Sequence, residues 1–525
     1  MYKINQVSTL KGYFILFITL PLVGVLINYS PIPEADFWSI YKRVYELSHY
    51  NLSSLWVQHN EHRVVITYLF AFLDNKYFGG SFYLMYFLIP LTFGLSGLLF
   101  YRIFFNKYQK NLHNTISFGF LLCLLFFWSQ KPNFIFPFHI SIVWVNLFTL
   151  GGLYLYDIYS QKKKFKYLIF SIAISSFAMI SIVSGVLALP LVSILALTKK
   201  RIKDFTILIL LSTFFIYAYF NDFQIIKSHS HFYDLKIKNL LDIYLYFFGY
   251  LGSIFSFLVG KGHFGLIISI IFGHLFLILC VYQFINFKII NTDNYLIIFL
   301  IFILFSALLT AFGRFEDGIQ HAISSRYTTN SIYGWATLFI LYYKNIRIYF
   351  YKNTNPLSIT PLLVSLLLLM IIVQLKALQF DYSSKKIVQR SQELIALTLN
   401  VDYDQKRIPH LNSENLKNYL NSRLFNFKND LFSPPYLNRI KFGEYNKVPI
   451  EAISEISFRE SQNKNFYEIT LSFDLRNIKK IYFLGIHDEI IGYAISENNF
   501  KYIDSKLNRF VGISKGNEFP THILY

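Results

Sequence analysis

Charge is scarce in this chain. Asp, Glu, Lys and Arg together make up 15% of its residues, where ordinary soluble domains carry roughly a quarter. Acids are scarcer still: 30 Asp and Glu stand against 49 Lys and Arg. Cysteine is almost absent. The two present, Cys123 and Cys280, both lie inside apolar stretches, so a disulfide framework is excluded as the organising device. Short alternating apolar segments separated by turns are missing, which argues against a transmembrane β-barrel. No small-residue cleavage site follows the first apolar run, where Asn28-Tyr29-Ser30-Pro31 stands instead. The N-terminus therefore reads as an uncleaved first helix. No fixed-period repeat, no low-complexity tract and no His-Glu-x-x-His zinc motif occurs.

What is abundant is apolar length. Hydrophobic residues make up 54% of the 525 positions, mean hydropathy is +0.40, and the excess falls in runs of about 16 to 25 residues, enough to cross a hydrocarbon core as helix. The fold class expected is an α-helical polytopic membrane protein with roughly eleven spans. They are placed at 13–29, 82–104, 114–129, 138–157, 167–182, 185–199, 205–220, 264–286, 294–312, 328–343 and 357–377. Lys3 and Lys11 put the N-terminus in the cytoplasm. In that frame Arg102, Lys107, Lys162 to Lys166, Lys199 to Lys203 and Arg347 mostly fall inside, as the positive-inside bias requires. The net charge of +19 is thereby explained without nucleic acid. Two stretches, 64–80 and 239–260, fit as helices at or dipping into the outer interface, the second also readable as a true span.

Three domains are expected: a membrane domain over 1–378 with an outer loop at 30–81, a helical connector over 379–435, and an extracytoplasmic β-rich domain over 436–525. Residues 384–429 read as polar amphipathic helices and Ser433-Pro434-Pro435 as a break. Alternating runs at 467–473, 480–484, 490–495 and 500–503 predict half-buried strands, gathered in a small β-sandwich.

Three polar clusters interrupt the apolar background. Glu34 and Asp36, with Trp38 beside them, follow the first span. An acid tethered to a buried helix suits a positioned general base, and equally these are solvated loop acids. His59-Asn60-Glu61-His62-Arg63 follows in the same loop. His59 and His62 at i, i+3 on a helix, with Glu61, leave divalent binding open; an ion-pair network of Glu61, Arg63 and Asp36 is the other reading. The third cluster runs from Gly313 to Tyr327 and carries Arg314 and Arg326. Guanidinium groups match phosphate oxygens bidentately, whether the phosphate is lipid-linked substrate or an ordinary head group. His139, His229, His231 and His274 are weaker candidates, the last readable as a satisfied core histidine.

An acid soon after the first span, a long outer first loop, many spans and an extracytoplasmic tail resemble the GT-C class of membrane glycosyltransferases. Asp36-Phe37-Trp38, His59 to Arg63 and Ser325-Arg326-Tyr327 look like a bacterial branch that includes O-antigen-modifying, serotype-converting glucosyltransferases. The resemblance implies transfer of a hexose, glucose in the serotype-converting case, from a polyprenyl-phosphate-linked donor to a surface polysaccharide or lipid-linked oligosaccharide. It implies inversion at the anomeric carbon and an active site on the outer face of the bacterial inner membrane; it does not imply a metal, and no cofactor is expected. Carried onto this chain, Asp36 is the base with Glu61 as understudy. Arg326, Arg314 and Arg63 hold the donor phosphate, and Glu34, His62, Tyr327 and Trp38 contact substrate. Asp36 is followed by Phe37 where some relatives have a second acid, which leaves Glu34 and Asp36 as rivals. Membrane lipids are the remaining expected partners. The competing readings are a transporter or flippase, or a polymerase, of lipid-linked saccharides.

Overall fold

The computed structural model describes residues 12, 15, 18–19, 21–26, 28–29, 37–80, 82–224, 239–260, 262–286, 293–353, 372 and 374, and, in the C-terminal part, 447–453, 455–460, 466–473, 480–484, 490–496, 508–515 and 520–524. The chain divides into two compact units. The first comprises 1–24, 56–67 and 87–379; the second comprises 25–55, 68–86 and 380–525.

Fourteen α-helices can be labelled in chain order among the described residues: α1 Phe37–Ser48, α2 Val65–Phe78, α3 Tyr83–Lys107, α4 Leu112–Leu125, α5 Lys131–Ile135, α6 Ile140–Lys162, α7 Phe165–Met179, α8 Ala188–Thr198, α9 Ile202–Phe220, α10 Leu240–Leu251, α11 Ser256–Val259, α12 His263–Ile285, α13 Asn294–Arg314 and α14 Thr328–Asn353. Among the described residues six stretches are long and apolar enough to cross a bilayer: α3, the broken α4–α5 run, α6, α9, α12 and α13. The count becomes seven if α10 and α11, bent by 67° at their junction, form one span.

The difference from eleven has identifiable causes. Of 13–29 only 15, 18–19, 21–26 and 28–29 are described, and of 357–377 only 372 and 374. The pair expected at 167–182 and 185–199 forms two short helices, α7 of 15 and α8 of 11 residues. At 1.5 Å per residue neither covers a core of about 30 Å. Helix α14 is long, but it opens with four buried polar residues, Thr328, Thr329, Asn330 and Ser331, and is not among the six. The Lys131-Pro132-Asn133 segment, expected as an outer loop, opens α5 with its proline in the first turn, where a missing N–H costs nothing.

Burial separates the centre of the first unit from its rim. Helix α6 is buried on most of its faces. It packs on α7 through small residues: the Ser171 hydroxyl donates to the Gly152 carbonyl at 2.7 Å, a close approach of the kind membrane helices use. Helix α12 has the opposite character. Phe264, Ile271, Ile278 and Ile285 are exposed at seven-residue spacing, an apolar stripe that suits lipid tails better than water.

In the second unit, Asp74 of α2 is buried, and burial pushes its carboxyl up to about 7 against the weaker pull of the Leu84 and Phe82 N–H groups. The described strands form one antiparallel sheet in the order β1-β7-β4-β5-β6-β3-β2. They are β1 Lys447–Pro449, β2 Glu455–Glu460, β3 Phe466–Phe473, β4 Lys480–Leu484, β5 Ile490–Ser496, β6 Asn508–Lys515 and β7 His522–Leu524. A single continuous sheet thus replaces the expected sandwich among these residues. Its alternation is as anticipated: Ile469, Leu471, Ile481, Phe483, Ala494, Phe510 and Ile523 share the buried cluster, and pairs such as Leu471 with Phe510 and Phe483 with Ile523 meet across strands. The strand expected at 500–503 and the connector at 379–435 lie outside the described residues.

Candidate anion site at one end of the helix bundle

Building the site begins with the loop before α2. His59 and His62 exchange backbone hydrogen bonds of 2.7 and 2.8 Å, and Asn60 takes a left-handed φ of 47°. The segment is therefore a tight turn, not the helix that would align two histidines on one face. Arg63 pins this turn to the end of α9. Its Nε donates to the Tyr219 carbonyl at 2.7 Å and one terminal nitrogen to the Asn221 carbonyl at 2.5 Å. The other terminal nitrogen reaches the Trp56 carbonyl. A cation at a helix C-terminus is favoured by the unsatisfied carbonyls there. Arg63, expected on a phosphate, has all its guanidinium nitrogens committed to backbone.

The turn presents Glu61 to the end of α13. Glu61 Oε2 accepts from Arg314 at 3.0 Å, in place of the expected pairing with Arg63. Arg314 in turn lies 3.6 Å from Asp317 Oδ2. Gly318, at φ 93°, lets the chain reverse directly after Asp317 in a conformation costly for any other residue. His321 is thereby brought back over Asp317, its Nδ1 at 3.5 Å from Oδ2 and 3.5 Å from the Tyr246 hydroxyl. Its Nε2 accepts from Arg326 at 2.8 Å. Arg326 is fixed from behind: the Asn133 amide donates to its carbonyl at 3.0 Å and to Thr329 Oγ1 at 2.7 Å. The Arg326 guanidinium also lies over the Tyr327 ring, 5.0 Å from its centre.

Glu61, Arg314, Asp317, His321 and Arg326 form a continuous chain of polar contacts. Around it several buried polar atoms have no hydrogen-bond partner among the described residues: Arg326 Nε, Glu61 Oε1, His62 Nδ1 and His139 Nδ1. Unsatisfied buried groups are costly and uncommon. Arg326 is within electrostatic reach of both His62 and His139. Burial, with the charges of His59, Arg314 and Arg326, pushes the His62 imidazole down to about 3. His62 is therefore neutral in ordinary conditions, a hydrogen-bonding group and not a third cation. The arrangement offers two guanidinium groups, one still carrying an unmatched N–H, and neutral imidazoles. Beside the carboxylates of Glu61 and Asp317, that set has the donors an oxyanion would need.

Of the expected site residues, the structure brings Glu61, His62, Arg314, Arg326 and Tyr327 together and turns Arg63 away to α9. Asp36 and Glu34 lie outside the described residues, as do the side chain of Trp38 and the histidines at 229 and 231. His274 is satisfied within the bundle, at 2.8 Å from the Ile270 carbonyl and 2.6 Å from the Tyr244 hydroxyl. Among the described residues no three His, Cys, Asp or Glu side chains converge as a metal would need. Sequence reasoning gave no role to His321, Asp317 or Tyr246; only the density of charge between 313 and 327 hinted at them. Comparison of the chain with protein-family models, with curated proteins and with solved structures finds no match.

Proposed function

We propose that the protein is a membrane glycosyltransferase that moves a hexose from a polyprenyl-phosphate donor to a surface polysaccharide or lipid-linked acceptor. The observation that carries this reading is the buried, partnerless Nε of Arg326 beside Arg314 and the neutral His62. In this reading the two arginines take the donor phosphate at the outer membrane face. A carboxylate removes the acceptor hydroxyl proton, and the oxygen attacks the anomeric carbon. The bond from that carbon to the phosphate oxygen breaks with inversion, and the phosphate leaves with the electron pair. A phosphate leaving group needs charge stabilisation more than a proton, and preorganised donors provide it. Asp36 is the proposed base on its sequence position. Glu61, with one oxygen on Arg314 and the other unpartnered, is the second candidate.

The test is transfer from a polyprenyl-phosphate-hexose in membranes containing the full-length protein. Arg326→Ala is expected to lower turnover about 100- to 1,000-fold, the usual cost of one preorganised donor. Asp36→Asn is expected to abolish transfer while donor binding persists. Wild-type membranes that carry the saccharide lipid across the bilayer without forming a new glycosidic bond would favour the flippase reading instead.

A further inference from the structure

Arg326 is a long side chain with several rotatable bonds, and an unrestrained guanidinium would not keep one N–H turned to a ligand. Only one side chain hydrogen-bonds it among the described residues, and that is His321. Because arginine can only donate, His321 Nε2 must be the unprotonated nitrogen, and the ring proton sits on Nδ1. Nδ1–H then faces Asp317 Oδ2 and the Tyr246 hydroxyl, each at 3.5 Å. The carboxylate thus fixes the tautomer that the guanidinium requires. The same Asp317 oxygen lies 3.6 Å from Arg314, so one carboxylate and one imidazole link the two cations.

We propose that His321 is a positioning residue for Arg326: it ties down one terminal guanidinium nitrogen and leaves the buried Nε directed to an anionic ligand. This rests on the reading of the site as a phosphate-binding one. Burial and the Arg326 guanidinium hold the imidazole below its ordinary value, against the pull of Asp317. The groups facing it are Asp317 and Arg314 from the end of α13, Tyr246 from α10, and Arg326 and Tyr327 from the segment leading into α14. Helix α12 contributes His263, which meets Gln320 rather than His321. His321 is neutral at neutral pH. As pH falls it gains a proton, loses the acceptor lone pair and repels Arg326, so ligand engagement weakens in acid.

The experiment measures binding of farnesyl-phosphoryl-glucose, a phosphodiester of constant charge, to the full-length protein in detergent. Titrations run from about pH 7.5 to about pH 5. Wild type is expected to bind and to weaken towards the acid end. Arg326→Ala should lose affinity at least about tenfold, and His321→Ala about tenfold, the worth of a hydrogen bond to a charged group. His321→Gln keeps an acceptor that cannot titrate. It should bind within about threefold of wild type at neutral pH and lose the acid weakening. If His321→Gln keeps the wild-type acid limb, or His321→Ala binds like wild type, the positioning role is overturned, while a loss in Arg326→Ala leaves the phosphate reading standing. If wild type fails to bind, or Arg326→Ala binds equally well, the phosphate reading itself falls and takes this inference with it.

Discussion

Two arginines in this protein have opposite fates, and their surroundings decide it. Arg63 is 4% exposed, and its guanidinium nitrogens reach the carbonyls of Trp56, Tyr219 and Asn221. Its backbone N–H also donates to the Tyr219 hydroxyl at 3.0 Å. Arg326 keeps a buried N–H with no partner. In the sequence both are basic residues beside histidine or aromatic neighbours, and little local separates them, because two of the three carbonyls that claim Arg63, those of Tyr219 and Asn221, arrive from more than a hundred residues downstream. The prediction is that Arg63→Ala fails by unfolding, not by chemistry. Removing the cation strands several buried carbonyls, at a cost of roughly 3 kcal/mol. Thermal unfolding in detergent should shift down markedly, and Arg63→Lys should recover only part of it, because an ammonium cannot reproduce the planar fork. A variant with normal melting and weakened phosphate binding would return Arg63 to the ligand site.

Elements meet where side chains vanish. Helices α10 and α12 pack so closely that a Cβ on Gly273 would lie 2.0 Å from the Phe248 carbonyl oxygen, and one on Gly252 would lie 1.9 Å from that of Ser269. Alanine at either position must push two backbones apart, an overpacking that costs about 1 to 3 kcal/mol. Helix α10 also carries Tyr246, which touches His321, so Gly273→Ala is expected to lower melting temperature and to weaken ligand binding together. Gly94→Ala is the control, since open space surrounds that position; equal melting of the two variants would remove the argument. Hydropathy alone foretold α3, α6, α9, α12 and α13 to within a few residues, and alternation foretold β3, β4 and β5. It missed β1, β2, β6 and β7; in β6 Arg509 and Gly512 break the apolar rhythm. It overran α7 and α8, because apolar composition continues through the turn at Val183–Leu187 that cuts the helix short. The site itself was legible only as a list of charged residues. Which of them pair is set by the reversal at Gly318 and the turn at Asn60, and sequence spacing carries neither.

Across the first unit the charges are sorted by end. Helix α13 is 21 residues long, about 30 Å at 1.5 Å per residue. At its start Asp293 pairs with Lys107 from the end of α3 at 2.7 Å. Nearby, the Tyr295 ring meets that of Tyr154 of α6 at a tilt, one turn before Asp157, which pairs with Lys199 at 2.8 Å. Arg201 and Asp204 pair at 2.5 Å at the start of α9. Lysines and arginines from α3, α6, α8 and α9 thus gather at one end, and Arg314, Arg326, Glu61 and His62 stand at the other. On the positive-inside bias the lysine-rich end is expected in the cytoplasm, and the proposed transfer reaction requires the candidate anion site to face outwards. Topology can be read directly, because the two native cysteines are buried and give little background. In intact spheroplasts, a membrane-impermeant thiol reagent is expected to label Glu316→Cys, beside the anion site, and to leave Lys164→Cys, at the lysine-rich end, unlabelled until the membrane is opened. The reverse pattern would put Arg314 and Arg326 in the cytoplasm, where the donor would be a soluble nucleotide sugar or an inward-facing lipid, and the transfer reaction proposed here would have to be abandoned.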